Sequence, residues 1–319
     1  MSTLFSQKTL KNNEIRPQEA DFTEVLDTIA LTPKKLYFYG KMPENRLKLG
    51  TKRTYERPKS LAIVGTRRPT KYGEEIAYKL AFEAAKRGAV VVSGLAYGID
   101  SVAHRGALDA GGVTVAVLGT PIDEIYPRTH VGLAERIIEM GGCVMSEVPA
   151  GTETGEEYVP GRKYYQKTCF LERNRIISGL ADIVVIPEAA ERSGSLNTAA
   201  HALEQGREVF AVPGDIGRPL SRGCNRLIRQ GATPYLEPED VLNLLFPPQR
   251  RRKSAQAELL FGDTEAETVL LRALATGVRD GEEILSRGEV STRDFNQAMT
   301  MLEIKGRVKA LGANQWMLI

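Results

Sequence analysis

Cysteine and histidine are scarce in this chain of 319 residues, with three of each. Cys143, Cys169 and Cys224 are odd in number, widely spaced and free of any CxxC pattern, so neither a disulfide framework nor a zinc site is indicated. No HExxH occurs, and a metal is not expected. No apolar run approaches the roughly 18 residues that a membrane span requires, and Met1 leads into a polar stretch rather than a basic and then apolar leader. A cytoplasmic protein without membrane association is the expectation. The P-loop pattern GxxxxGK followed by Ser or Thr is missing, which leaves P-loop ATP hydrolysis without support. Neither sign of charge dominates: the net charge of +3 is too small to mark a polyanion partner, so any such signal must come from local clustering. Internal repeats are absent as well.

What is present is the composition of a folded protein, 42% hydrophobic and 26% charged. Residues 1 to about 30 read as a loose polar tail, and Leu36 to Gly40 as a lead-in strand closed by a glycine turn. From Leu61 onward short apolar, β-branched runs alternate with helical segments: Leu61 to Val64, Ala89 to Val92, Val113 to Leu118, Cys143 to Met145, Ile183 to Ile186 and Val209 to Val212. This alternation predicts an α/β domain with a doubly wound, mostly parallel sheet. Gly65, Gly94, Gly119 and Gly214 each fall within two residues of a strand end, the edge at which such sheets bind ligands.

The expected division is a tail and lead-in segment over 1–57, a main domain over 58–246, a linker over 247–263 and a small domain over 264–319. The linker is read from Pro247-Pro248-Gln249-Arg250-Arg251-Arg252-Lys253-Ser254, which has no apolar periodicity. Beyond it three short helical patterns, around Leu270 and Leu274, Ile284 and Leu285, and Phe295, Met299 and Leu302, precede a hairpin over Lys309 to Leu318. That order resembles a winged helix.

Four segments carry chemistry. The first strand ends in Gly65-Thr66-Arg67-Arg68, where a dinucleotide fingerprint would have a second glycine in place of Arg67. The amides of the following helix favour an anion, and Arg67 adds a bidentate donor, so this loop suits a phosphate rather than a nicotinamide cofactor; the alternative is a solvated turn. After the second strand, Ser93-Gly94 lets backbone approach a ligand and offers a hydroxyl to a phosphate. Asp100 and His104 stand four apart nearby, and a local structural hydrogen bond is favoured over acid/base or metal work.

The third segment, Gly161 to Arg175, is the most telling. It holds five basic residues (Arg162, Lys163, Lys167, Arg173, Arg175) against one acid, Glu172, interleaved with Tyr164, Tyr165 and Phe170. Cations for the backbone and rings for the bases are what binders of single strands use. A charged surface helix would explain the cations and not the rings. The fourth segment, Ser193-Gly194-Ser195, stands at an expected helix start and makes a second anion cradle of amides and hydroxyls.

These segments together resemble the DNA-processing protein A (DprA, or Smf) family from about Leu36 to Leu245. The landmarks are Ile63-Val64-Gly65-Thr66-Arg67, Ser93 to Asp100 with His104, Tyr126-Pro127, Ser146-Glu147, Arg173-Asn174-Arg175-Ile176-Ile177, Ser193 to Leu196 with Thr198, and Val212-Pro213-Gly214. The resemblance implies a Rossmann-like domain that dimerises, binds single-stranded DNA without catalysis or cofactor, and assists loading of the recombinase RecA during natural transformation. It marks Arg67 as a phosphate grip and Lys167 with Phe170 as a basic and aromatic pair beside Arg173, Asn174 and Arg175. Phe170-Leu171-Glu172 departs from the family's Phe-Pro-x, and Gly119-Thr120-Pro121 from a more glycine-rich turn. The helical module that precedes this region in many members is not expected here. The enzyme alternative is a nucleotide hydrolase of the related phosphoribohydrolase fold, but the equivalent turn, Ser193 to Ala200, has no carboxylate. A third reading gives duplex DNA to the C-terminal region, with Ser291 to Lys305 as recognition helix and Arg307 and Lys309 on the wing.

Overall fold

The computed structural model describes residues 12–44, 57–152, 167–247, 261–286 and 290–318. The chain divides into two compact units between Pro247 and Pro248.

In the first unit, nine described strands form one sheet: β1 (Asn13–Ile15), β2 (Leu36–Gly40), β3 (Ser60–Ile63), β4 (Val90–Ser93), β5 (Thr114–Leu118), β6 (Cys143–Ser146), β7 (Ile183–Ile186), β8 (Glu208–Ala211) and β9 (Thr233–Pro234). Their order is β1-β2-β6-β5-β4-β3-β7-β8-β9. The seven strands from β6 to β9 pair in parallel, and β1 and β2 add an antiparallel margin, with Tyr39 opposite Val144. The helices are α1 (Lys71–Lys86), α2 (Ile99–Asp109), α3 (Val131–Glu139), α4 (Lys167–Leu180), α5 (Ser195–Glu204), α6 (Arg222–Arg229) and α7 (Pro238–Leu245).

The strands are buried along their whole length because helices cover both faces, which is why they read as unbroken apolar runs. Successive residues still alternate. Ala62, Val64, Val184 and Ile186 join one core with Ile176, Ile177 and Leu180 of α4, and Leu61, Ile63, Ile183 and Val185 join the other with Ala77 and Leu80 of α1. The chain lays β3, β4, β5 and β6 outward in one direction, then returns through α4 to place β7 on the other side of β3. The winding therefore reverses between β3 and β7, and a crevice opens at their carboxyl ends.

The loose tail expected over residues 1 to about 30 does not hold for its described part. Short helical turns at Pro17–Glu19, Asp21–Glu24 and Val25–Thr28 bury Phe22, Leu26 and Ile29 in the α4 core. Gly179 on α4 admits them, since a Cβ there would lie 2.8 Å from the Leu26 Cδ2. Three apolar side chains spaced four and three apart carry the helical period, and each buried one stabilises by about 1.5–3 kcal/mol.

The second unit consists of α8 (Glu265–Ala275), α9 (Gly281–Ser286), α10 (Thr292–Ile304) and a hairpin of β10 (Val308–Gly312) and β11 (Gln315–Leu318). Thr264 and Ser291 cap α8 and α10 through their hydroxyls. Leu270, Leu271, Leu274, Ile284, Phe295, Met299 and Leu302 form its core. The hairpin turns at Ala313 and Asn314, both in the left-handed region at φ 48° and 60°. The linker residues 248–260 lie outside the described residues.

Candidate nucleic-acid interface

The loop from β3 to α1 is fixed from below so that its arginines stand at the tip. Thr66 N–H donates to the Glu188 carbonyl at 2.8 Å, and Ile99 N–H donates to the Thr66 carbonyl at 3.2 Å. The buried Glu188 carboxylate accepts from Thr70 N–H at 2.8 Å and from its hydroxyl at 2.6 Å, which ties the start of α1 to the end of β7. Gly98 is required by two constraints: its φ is +76°, and a Cβ would lie 2.4 Å from the Thr66 carbonyl oxygen. Arg67 and Arg68 are exposed on this frame.

Across the crevice, α4 presents Phe170. Its ring is partly buried, tilts against Tyr126 at a centroid separation of 5.6 Å, and lies beneath the Arg67 guanidinium, whose carbon is 5.6 Å from the ring centre. Gly119 lets the ring sit against the end of β5, because a Cβ there would be 2.8 Å from the Phe170 Cδ1. The departure at Gly119-Thr120-Pro121 thus keeps the one glycine the ring needs. Thr66, Arg67, Tyr126, Phe170 and Leu171, together with Ser193, Gly194, Ser195 and Thr198, line a cavity of about 700 Å³.

The β7–α5 loop forms the opposite wall. Ser193 and Ser195 hydroxyls lie 2.8 Å apart, and Ser195 N–H donates to the Ser193 oxygen at 3.3 Å. The buried Asn174 amide donates to the Gly194 carbonyl at 3.3 Å and to the Asn197 side-chain oxygen at 3.2 Å, so it shapes this wall.

Several side chains singled out in the sequence turn elsewhere. The Ser93 hydroxyl is fully buried and donates to the Ile63 carbonyl at 2.7 Å, which corrects the expectation that it meets a phosphate. Gly94 fills the floor: a Cβ would lie 2.7 Å from both the Arg173 guanidinium and the Asp100 carboxylate. Arg173 is buried and its Nη1 donates to the Gly94 carbonyl at 3.0 Å and to the Val117 carbonyl, so it braces the ends of β4 and β5 from beneath instead of reaching outward. Burial lowers its pKa to about 10, leaving it cationic at neutral pH, while burial pushes the Asp100 carboxyl up against the opposing pull of Arg173 and the Gly94 and Ala96 amides. Arg175 points to the other side of α4 and holds Glu147 through Nη2 at 2.8 and 2.9 Å. There it borders a second cavity with Lys34, Lys35, Tyr37, Glu172 and His201, and Leu171 stands in the wall of both. Lys163, Tyr164 and Tyr165 lie outside the described residues, as does the side chain of Lys167, whose backbone opens α4.

His104 and Asp100 do not meet as a pair. His104 Nδ1 is 2.7 Å from the Thr114 hydroxyl, which gives its own proton to the Val91 carbonyl at 2.7 Å. Nδ1 must therefore carry a hydrogen, and Nε2 is left buried without a partner. Burial lowers the pKa of this imidazole to about 3. Among the described residues no group of His, Cys, Asp or Glu is arranged to hold a metal ion, and no helix is long and apolar enough to cross a membrane. The sequence reading did not single out Glu188 or Tyr126 as parts of the site's frame.

A doubly wound α/β sheet whose switch-point crevice joins an exposed arginine loop, a partly buried ring and a serine-rich helix start places the chain among proteins of Rossmann-like architecture. The family model described as DNA recombination-mediator protein A matches residues 13–246, and the chain belongs to that family. It is 50% identical over 187 residues to Protein Smf of Escherichia coli strain K12, covering 58% of this chain and 47% of that one. To DNA processing protein DprA of Bacillus subtilis strain 168 it is 38% identical over 229 residues, covering 70% and 72%. The chain spans about half the length of the Escherichia coli relative and of the Mycobacterium tuberculosis relative, 47% and 45%. Two solved structures are similar: DNA processing protein A of Streptococcus pneumoniae, with TM-score 0.59 and 36% identity over 74% of this chain and 75% of that one, and DNA processing protein A of Helicobacter pylori, with TM-score 0.58 and 30% identity over 74% and 96%. The latter was described for its single-stranded DNA binding mode.

Proposed function

We propose that this chain binds single-stranded DNA in the β3/β7 crevice and performs no chemistry on it. The observation that carries the reading is the Arg67 guanidinium set over the Phe170 ring on one wall of an open cavity, facing the serines of the α5 start. A cation, a ring and a set of helix-start amides recognise a phosphate and an unpaired base, and every base offers a face for stacking. Thr66, Arg67, Arg68, Phe170, Ser193, Gly194 and Ser195 would meet the strand, with Lys163 and Lys167 adding charge. Gly65, Ser93, Gly94, Arg173, Asn174 and Arg175 serve the frame. A hydrolase of related fold is disfavoured because Asp100, the one acid among the described residues that line the cavity, is engaged with Gly94 N–H and lies beside Arg173. The single-stranded DNA binding described for the Helicobacter pylori relative supports the same reading.

In the cell this activity would belong to a cytoplasmic homodimer that protects incoming strands and assists RecA loading in natural transformation. The second unit is read as a winged helix, and exposed Met301 and Ile304 on α10 favour a protein contact over duplex DNA. The deciding experiment is a salt-titrated comparison of an oligo-dT strand with a duplex of equal length. Several-fold tighter binding of the strand is expected, and equal affinity at matched salt overturns the proposal. The rate of RecA filament assembly on strands coated with single-strand-binding protein tests the loading role.

A further inference from the structure

We infer that the outer face of α6 is a second backbone contact for the same single strand, running away from the crevice. This rests on the crevice reading and extends it. Arg222, Arg226 and Arg229 are exposed and spaced four and three apart, so they share one face of the helix. None has an ion-pair or hydrogen-bond partner for its guanidinium among the described residues, unlike Arg218 just before them, which pairs with Asp215. Like charges at this spacing oppose the helix. Arg222 adds to the conflict, because it opens α6, where the helix dipole disfavours a cation. The fold gains nothing from this row, and a polyanion would.

The row begins at the crevice. Gly223 N–H donates to the Ala189 carbonyl at 2.9 Å, and a Cβ at Gly223 would lie 2.7 Å from the Ala190 carbonyl oxygen. Ala190 lines the cavity. The first turn of α6 is thus packed on the loop that bounds the site, and Arg222 to Arg229 extend about 10 Å along the helix, a span that reaches more than one phosphate of a strand. An alternating run of acid and base would suit a protein partner; three guanidinium groups in a row, with no acidic partner among the described residues, suit a phosphodiester chain.

The test uses the full chain with oligo-dT of about 4 and about 16 nucleotides. The triple variant Arg222→Ala/Arg226→Ala/Arg229→Ala should bind the short strand normally and the long strand on the order of tenfold more weakly, with a salt slope lower by about 2, or 0.7 per lost contact. The triple lysine variant should keep the slope. If the triple alanine variant does not fold, Arg226→Ala alone should lower the long-strand slope by about 0.7. An unchanged long-strand slope overturns the inference, as does a variant whose only defect is altered self-association in sedimentation. Arg67→Ala is the control: it should weaken both lengths, and if it weakens neither, the crevice reading fails instead.

Discussion

The Arg67 guanidinium carbon lies 5.6 Å from the centre of the Phe170 ring, although Arg67 belongs to the loop after β3 and Phe170 to the first turn of α4. The contact joins charge and stacking at one point, yet the two contributions respond differently to salt, so they can be measured apart.

Arg67→Ala should weaken single-strand binding to a similar extent for all sequences and lower the salt slope by about 0.7. Arg67→Lys should keep the slope and lose part of the affinity, since an ammonium does not reproduce the delocalised, multiply donating guanidinium set over Phe170. A salt titration with homopolymer strands checks both; an unchanged slope for a folded Arg67→Ala removes this residue from the site.

Phe170→Ala should lower single-strand affinity by about 1–3 kcal/mol while leaving the salt slope intact. The ring is also packed on Gly119 and Tyr126, so some loss of stability is expected as well. Melting temperature and oligo-dT affinity on the same variant separate the two effects. Early melting with normal affinity at low temperature would make Phe170 a packing residue only.

The strands from β3 to β8 were legible because burial on both faces leaves unbroken β-branched runs, and the glycines after four of them, β3, β4, β5 and β8, pointed to the carboxyl edge. Side-chain direction was less accessible. Arg173 looked like part of a basic cluster, but with Ile176, Ile177 and Leu180 it follows the spacing i, i+3, i+4, i+7 of the buried stripe of α4, and that period places its guanidinium under the sheet edge. Arg175 falls off the stripe and turns to Glu147 on the other side of α4. Ser93 is the last residue of β4, and whether a strand-end hydroxyl turns to a loop or to the neighbouring strand depends on a register that one sequence does not display. The N-terminal turns were missed because three apolar residues among polar ones are a faint periodic signal until α4 supplies the surface they cover.

Arg173→Ala should destabilise the first unit by about 3–5 kcal/mol, because Asp100 would remain buried beside Gly94 without its compensating cation. Adding Asp100→Asn should recover part of that loss by removing the charge. Urea unfolding of the two single variants and the double variant gives the coupling. Additive losses would show that the two groups act independently.

His104 supplies the last prediction, on pH. Its Nδ1–H is committed to the Thr114 hydroxyl and its Nε2 is a buried lone pair, so protonation would place an unpaired N–H and a charge in the core. The folded pKa is about 3 against an ordinary value of 6.5. Below 6.5 the unfolded chain takes up a proton that the folded chain refuses, so stability contributed at neutral pH is progressively lost as pH falls from 6.5 toward 3. At pH 5 the loss from this one residue should be about 2 kcal/mol relative to pH 8. His104→Gln does not titrate, and whatever its stability at pH 8, the difference between pH 8 and pH 5 should shrink by that amount. Urea unfolding of both proteins at the two pH values measures it. Parallel pH profiles would mean that this imidazole is protonated as readily in the folded chain as in the unfolded one, and the burial penalty on its charged form would be refuted.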